Sequence, residues 1–332
     1  MPPSLVIVGR LSREFILPLN HRPLLDAPGG SALYAAVGAA VWTPGVGLVG
    51  RVGEDYPQTW LRTFEAAGLD VRGVRILPQS LDVRSFRAWL DEHTCQTNQP
   101  ITHFARLGVP FPKALLGYQG SLEPDQTQTI SPLTTPRPDD VPAEYRTAAV
   151  HICPLDVTGV GRLLAAFQES GASMVTLAVP LLPPTSSNWE TLRPLLRLTA
   201  FLPEEQSLQS FFQGKTDDLW EMVEEVASCG CEYVAVQREQ GGQALYDAAA
   251  RRRWEVPPYP ARPIDPSGVS EAFCGGFLAG LWKTGDPLQA VLHGNVSASL
   301  VIERSGALYA LDALPGLAQA RLERLRELVH PA

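Results

Sequence analysis

At 332 residues and 45% hydrophobic composition, the chain is long enough for one large α/β domain with a sizeable core. A net charge of −8 argues against nucleic acid or an anionic membrane as the main partner. No apolar run reaches the ~20 residues that a bilayer span needs, so the cytoplasm is the expected location. The opening "MPPSLVIVGR" has no basic leader and reads as a first strand, not a signal peptide. The alternating "REFILPL" follows, and after "DAPGG" the small residues of "SALYAAVGAAVW" predict a closely packed helix. "VGLVGRVG" reads as a buried strand. A helix is predicted from about Tyr56 to Ala67, closed by Gly68, and "VRSFRAWLDE" alternates as a half-exposed strand should. The stretch from about His93 to Arg146 is rich in Pro, Thr and Asp and reads as a long irregular excursion with little to bury.

From Ala148 onward strands and helices alternate: "AVHIC", a helix over about Asp156–Glu169, "MVTLAV", a further helix, "TAFL", helices over about Glu204–Phe212 and Asp217–Ala227, and "YVAVQ". A hairpin, "QALYDAAARRRWEV", places Arg251–Arg253 at an exposed corner, and three helices complete the chain. Such alternation predicts a doubly wound, mainly parallel sheet covered on both faces, with ligands at the carboxyl ends of its strands. The five cysteines are scattered, and no metal-ligating set accompanies Cys229 and Cys231, so reduced thiols are expected.

Two motif matches fail on context. "GVGLVG" at 45–50 fits the dinucleotide fingerprint, with Asp70 about 20 residues on, but it is itself a strand and the next helix begins too late to face a pyrophosphate. "GKT" at 214–216 has Gln209 where a phosphate loop needs glycine, and it joins two helices. A nicotinamide oxidoreductase is therefore disfavoured.

"DPSGVSEAFCGGF", Asp265–Phe277, carries the chemistry. Pro266 forces Asp265 out of helical geometry and Gly268 permits a tight turn. The amides of Gly268, Val269, Ser270 and Glu271 are then the unpaired first-turn donors of a helix, suited to a phosphoryl group whose charge grows in a transition state. Glu271 stands beside them, where it could accept a proton; a bland capping role for Asp265 or Ser267, with Glu271 complementing the helix dipole, fits the same residues. Gly275 and Gly276 are expected to bring the helix close to the sheet.

The stretch resembles the second signature of the ribokinase (PfkB) family of carbohydrate kinases, D-T-x-G-A-G-D-A-F-x-G-G-F, through Asp265, Gly268, Ala272, Phe273, Gly275, Gly276 and Phe277. Gly29-Gly30 with the small-residue helix behind them look like its first signature, "GLVGRVGEDYPQTWLRTFEAAGLDV" is similar to the segment after that helix, and "GALYALDALPGL" to the family's tail. The resemblance implies a single ribokinase-like α/β domain over 1–332, with a small β-sheet lid from segments near 14–19 and 83–92 and the excursion at about 93–146. It also implies ATP-dependent phosphorylation of a hydroxyl on a sugar, sugar-like alcohol or nucleoside, with Mg²⁺, a monovalent cation, and a homodimer formed through the lid.

By the same resemblance Glu271 would be the base, with Gly268, Val269 and Ser270 forming the anion hole. Glu14, Gly29, Gly30 and Tyr34 would hold the substrate, and Asp265, Gln237, Glu239, Gly242 and Asn295 would border the nucleotide or cation. The chain departs from the family pattern at several of these positions. Glu271 replaces the catalytic aspartate, Glu14 an aspartate and Tyr34 an asparagine; the N-x-x-E motif falls at Glu204–Ser207 with neither residue kept, and the nucleotide-side T-x-G is Gln237-Arg238-Glu239. Those departures raise a second reading, a catalytically impaired kinase fold that binds a sugar or nucleoside for regulation.

Overall fold

The computed structural model describes residues 2–118, 132–179 and 188–329. The strands, in chain order, are Leu5–Val8 (β1), Ser12–Leu17 (β2), Leu24–Gly29 (β3), Gly47–Gly53 (β4), Asp70–Leu77 (β5), Arg84–Trp89 (β6), Cys95–Gln96 (β7), Ala149–Ile152 (β8), Met174–Leu177 (β9), Ala200–Phe201 (β10), Tyr233–Gln237 (β11), Gln243–Asp247 (β12) and Arg252–Val256 (β13). The helices are Ser31–Ala40 (α1), Gln58–Ala66 (α2), Pro100–Arg106 (α3), Val157–Glu169 (α4), Asn188–Leu192 (α5), Glu205–Phe212 (α6), Leu219–Ser228 (α7), Val269–Thr284 (α8), Pro287–Val301 (α9) and Leu317–Arg326 (α10).

Nine strands form one sheet in the order β13-β12-β11-β10-β9-β8-β1-β4-β5. Its pairings are parallel except at the β11–β12–β13 edge, where the chain turns back as a hairpin. The period-2 alternation of β1 divides the core: Leu5 and Ile7 face α1, α8 and α9, while Val6 and Val8 face the apolar side of α4, α6 and α7. Asp156 and Asp218 cap α4 and α7 through side-chain bonds to first-turn amides. The predicted doubly wound architecture is the observed one.

Close packing is helix on helix. A side chain on Gly38 of α1 would strike the backbone of Ala272 in α8, and one on Gly275 would strike the backbone of Ala35. Gly276 faces Ser297 and Gly294 of α9. The sequence reading placed Gly275 and Gly276 against the sheet. They instead let α8 lie between α1 and α9, because the glycines fall on the two flanks of the helix and not on its inner face.

Four strands form a second sheet, β3-β2-β6-β7, in which β2 and β6 run parallel. Phe15, Leu17, Phe86 and Ala88 on one face pack with Phe104 of α3 and with Leu115. The opposite face carries Glu14, Arg87 and Trp89. The described part of 93–146 differs from the irregular excursion expected. It contains α3, whose buried Phe104 closes the small sheet, and it buries Val141 and Tyr145 against the main core. Arg51 of β4 forms a buried, bidentate pair with Asp140, and Thr135 donates to Asp156. The Pro- and Thr-rich part of that expectation falls largely at 119–131, outside the described residues.

Candidate active site

The site is built around the start of α8. Pro266 breaks the preceding chain, Asp265 Oδ1 accepts from Ser267 N at 3.0 Å, and Gly268 caps the helix with φ 79°. A side chain at Gly268 would need a left-handed backbone and would run into the Tyr34 ring. The first helical bond is Ala272 N to Gly268 O at 2.9 Å, and Val269 N reaches only Pro266 O, at 3.4 Å. The amides of Gly268, Ser270 and Glu271 bond to no other residue among the described residues. Glu271 is half-buried one turn inside. Unpaired N–H groups at a helix start favour an incoming anion.

On one flank stands a cluster centred on Glu14. Its side chain is fully buried and accepts from Ser12 Oγ (3.2 Å), Gly30 N (3.1 Å), Tyr34 Oη (2.8 Å) and Arg87 Nη1 (2.9 Å). The carboxylate occupies the space a Gly29 side chain would need, and a side chain on Gly30 would meet the backbone of Arg10 and Ser12. The structure thus brings together Glu14, Gly29, Gly30 and Tyr34, the residues expected to hold a substrate. Glu14 itself is saturated, and the groups it presents toward the cleft are Arg87 and the Tyr34 ring. Trp89 Nε1 donates to Ser267 Oγ at 2.9 Å, tying the small sheet to the entry of α8.

The charges at this point are coupled. Burial pushes the Glu271 carboxyl above its ordinary value, Arg87 opposes that rise, and Glu204 and Glu14 add to it. Arg87, though desolvated, is held protonated by Glu14 and Glu271. Desolvation raises the Tyr34 phenol, and Glu14 reinforces it, so the hydroxyl stays a donor. A half-buried carboxylate with a raised pKa, next to unpaired first-turn amides, has the chemistry to accept a proton from a hydroxyl.

The other flank is the end of β11 and its hairpin. Gln237 Nε2 donates to Ser270 Oγ at 2.9 Å, which places the hairpin against the first turn of α8. Glu239 is exposed, with its amide donating to Glu205 Oε2 at 3.1 Å. Gly242, at φ 81°, forms the hairpin turn against the Val256 carbonyl. Asn295 lies behind this wall: its side chain is buried, donates to Gln243 Oε1 and Pro257 O, and accepts from Tyr259 N. It shapes the wall instead of offering a free amide. Glu204 and Ser207 sit at the start of α6, and Glu204 is exposed.

Asp265 Oδ2 is buried without a partner, and so is Ser305 Oγ, whose hydroxyl acts on the same carboxyl. Burial raises the Asp265 pKa, a rise that Ser267 and the nearby Ser305 hydroxyl oppose. Orphaned oxygens of this kind suit a hard cation. No group of three or more His, Cys, Asp or Glu side chains able to hold a metal ion exists among the described residues.

Sequence reasoning missed Arg87 and Arg10. The alternation of "VRSFRAW" does put Arg87 opposite Phe86 and Ala88, but only the parallel pairing of β2 with β6 shows that it meets Glu14.

Residues 147–314, half of the chain, match the family described as pfkB family carbohydrate kinase. The chain belongs to that family. The PfkB chain is 27% identical over 293 residues to the cytidine kinase of Thermococcus kodakarensis, covering 86% of this chain and 91% of that protein. In fold it is similar to a putative ribokinase II from E. coli solved with ATP and Mg²⁺ (TM-score 0.69, 15% identity, 97% and 99% of the two chains). It is also similar to a fructokinase from Vibrio cholerae O395 solved with fructose, ADP and calcium ion (TM-score 0.69, 19% identity, 97% and 100%). As a PfkB protein it is a phosphotransferase to an alcohol group, and these relatives lend nothing to the reading as an impaired binding protein.

Proposed function

We propose that this PfkB protein transfers the γ-phosphoryl group of ATP to a hydroxyl of a nucleoside or sugar, with Glu271 as general base. The observation that carries the reading is the start of α8: unpaired amides beside a half-buried carboxylate of raised pKa. The acceptor hydroxyl gives its proton to Glu271, while the amides of Gly268, Val269 and Ser270 hold the phosphoryl oxygens. The cluster of Glu14, Gly29, Gly30 and Tyr34 shapes the acceptor pocket, with Arg87 on its cleft face. Gln237, Glu239 and Gly242 line the nucleotide side, with Asn295 behind them. The small sheet, tied to Ser267 through Trp89, keeps water from the transferring group.

A divalent ion would neutralise phosphate charge. With no cluster of three or more metal-ligating side chains among the described residues, such an ion would be carried in mainly by the nucleotide itself. Asp265 and Ser305 would hold a monovalent cation. The extent of the match to a cytidine kinase favours a ribonucleoside as acceptor.

The test is ADP formation from ATP and Mg²⁺ with cytidine, other nucleosides, ribose and fructose offered in turn. The expected result is turnover with one of these acceptors. No turnover across the panel at high enzyme concentration contradicts the reading.

A further inference from the structure

Arg10 follows β1 at its carboxyl end, where the parallel sheet opens into the cleft. Its backbone is fixed: the amide donates to Ser31 Oγ at 3.3 Å, and the carbonyl accepts from Ala32 N at 3.0 Å, so the residue is pinned against the start of α1. Its side chain is not. Among the described residues the guanidinium makes no ion pair, and Nε is buried without a hydrogen-bond partner. The neighbouring cation Arg87, by contrast, is paired with Glu14 at 2.9 Å. The residue as a whole is half-buried, and the desolvation of Nε is offset by no hydrogen bond among the described residues. Burial and Arg87 both lower its pKa, while Glu271 and Cys153 oppose that.

We propose that Arg10 is a catalytic residue whose guanidinium donates to the phosphoryl oxygens during transfer. The assignment rests on the kinase reading of this site. As the acceptor oxygen forms its bond to phosphorus, its proton passes to Glu271. The bond from phosphorus to the β–γ bridging oxygen breaks, and ADP leaves with the electron pair. Glu271 loses its negative charge as the phosphoryl oxygens arrive, so the guanidinium, which has no ion-pair partner among the described residues, gains one and stays protonated throughout. The role requires an interaction stronger with the phosphoryl group in flight than with ATP bound in the ground state, which is the condition for lowering the barrier.

The charged and titratable groups facing Glu271 are Arg87 from β6, Glu14 from β2, Glu204 at the start of α6, Cys153 after β8 and Cys274 on α8 itself. Removing Arg10 leaves Arg87 as the remaining cation among them.

The experiment compares wild type with Arg10→Met and Arg10→Lys. Arg10→Met is expected to lose about 10²-fold in kcat, with acceptor KM little changed, and Arg10→Lys to fall between them. Because the guanidinium makes no bond among the described residues, Tm should hold or rise in both. ADP with Mg²⁺ and aluminium fluoride should raise the Tm of wild type well above that of Arg10→Met. A kcat for Arg10→Met within about twofold of wild type, or equal stabilisation of both proteins by aluminium fluoride, overturns the assignment. Wild type inert toward ATP with every acceptor is a different failure, that of the kinase reading itself.

Discussion

On the acceptor flank of the α8 start, Glu14 is wholly buried and takes hydrogen bonds from four donors, whereas on the nucleotide flank Glu239 is exposed and only its backbone amide is tied down. The pocket proposed for the acceptor is therefore assembled before any ligand arrives, so little ordering entropy remains to oppose binding. The nucleotide wall is braced from behind by Asn295 and left open in front. The difference accounts for where this PfkB chain departs from its family. Substitutions on the acceptor flank came with compensating contacts, Glu14 with Tyr34 and Arg87; on the other flank Gln237 bonds Ser270, while Glu239 is exposed.

The largest effect that would break this contrast is on stability. Glu14→Ala leaves Arg87 without its partner in a desolvated cluster and should cost about 3 kcal/mol, read from urea unfolding. A loss below about 0.5 kcal/mol would mean that the acceptor flank is not preorganised by charge.

The second effect is on pH dependence. Glu271 must be ionised to accept a proton, and its folded pKa is raised, so turnover should fall with decreasing pH along a limb lying above 4.5, the ordinary glutamate value. Arg87 opposes that rise, so Arg87→Met should move the limb to still higher pH. A limb unmoved in Arg87→Met would separate the two groups electrostatically. The same shift has a stability consequence of definite sign. Between 4.5 and the raised value the folded state holds more protons than the unfolded one, so the Glu271 contribution disfavours folding as pH rises through that window.

The smallest effect belongs to the open flank. Glu239→Gln should change stability by less than about 0.5 kcal/mol and lower the KM for ATP by roughly 2- to 5-fold, since an exposed like charge near the phosphates is worth about 1 kcal/mol. A large loss of stability would place Glu239 in a network that the open wall lacks.

The same contrast explains what could be read from the chain. The start of α8 was legible because Pro266 and Gly268 act locally: one forbids helix behind it and the other supplies the positive φ at the cap. The doubly wound, mainly parallel character of the main sheet was legible from alternating strand and helix patterns. Arg87 was not, since its meaning depends on β6 pairing with β2, far away in sequence. Arg10 was still less so, because its significance lies in a missing partner, a property that only a folded cleft has. The helix α3 escaped notice for a third reason: seven residues starting at Pro100 show less than two turns of periodicity, and Phe104 matters only because it closes a sheet made elsewhere.

The central claim, that Glu271 takes the acceptor proton at the amide-lined start of α8, is tested most directly by single-turnover phosphoryl transfer in Glu271→Gln. The account predicts a rate lower by about 10²–10⁴ than wild type, with the nucleotide still bound. A rate equal to wild type would contradict it.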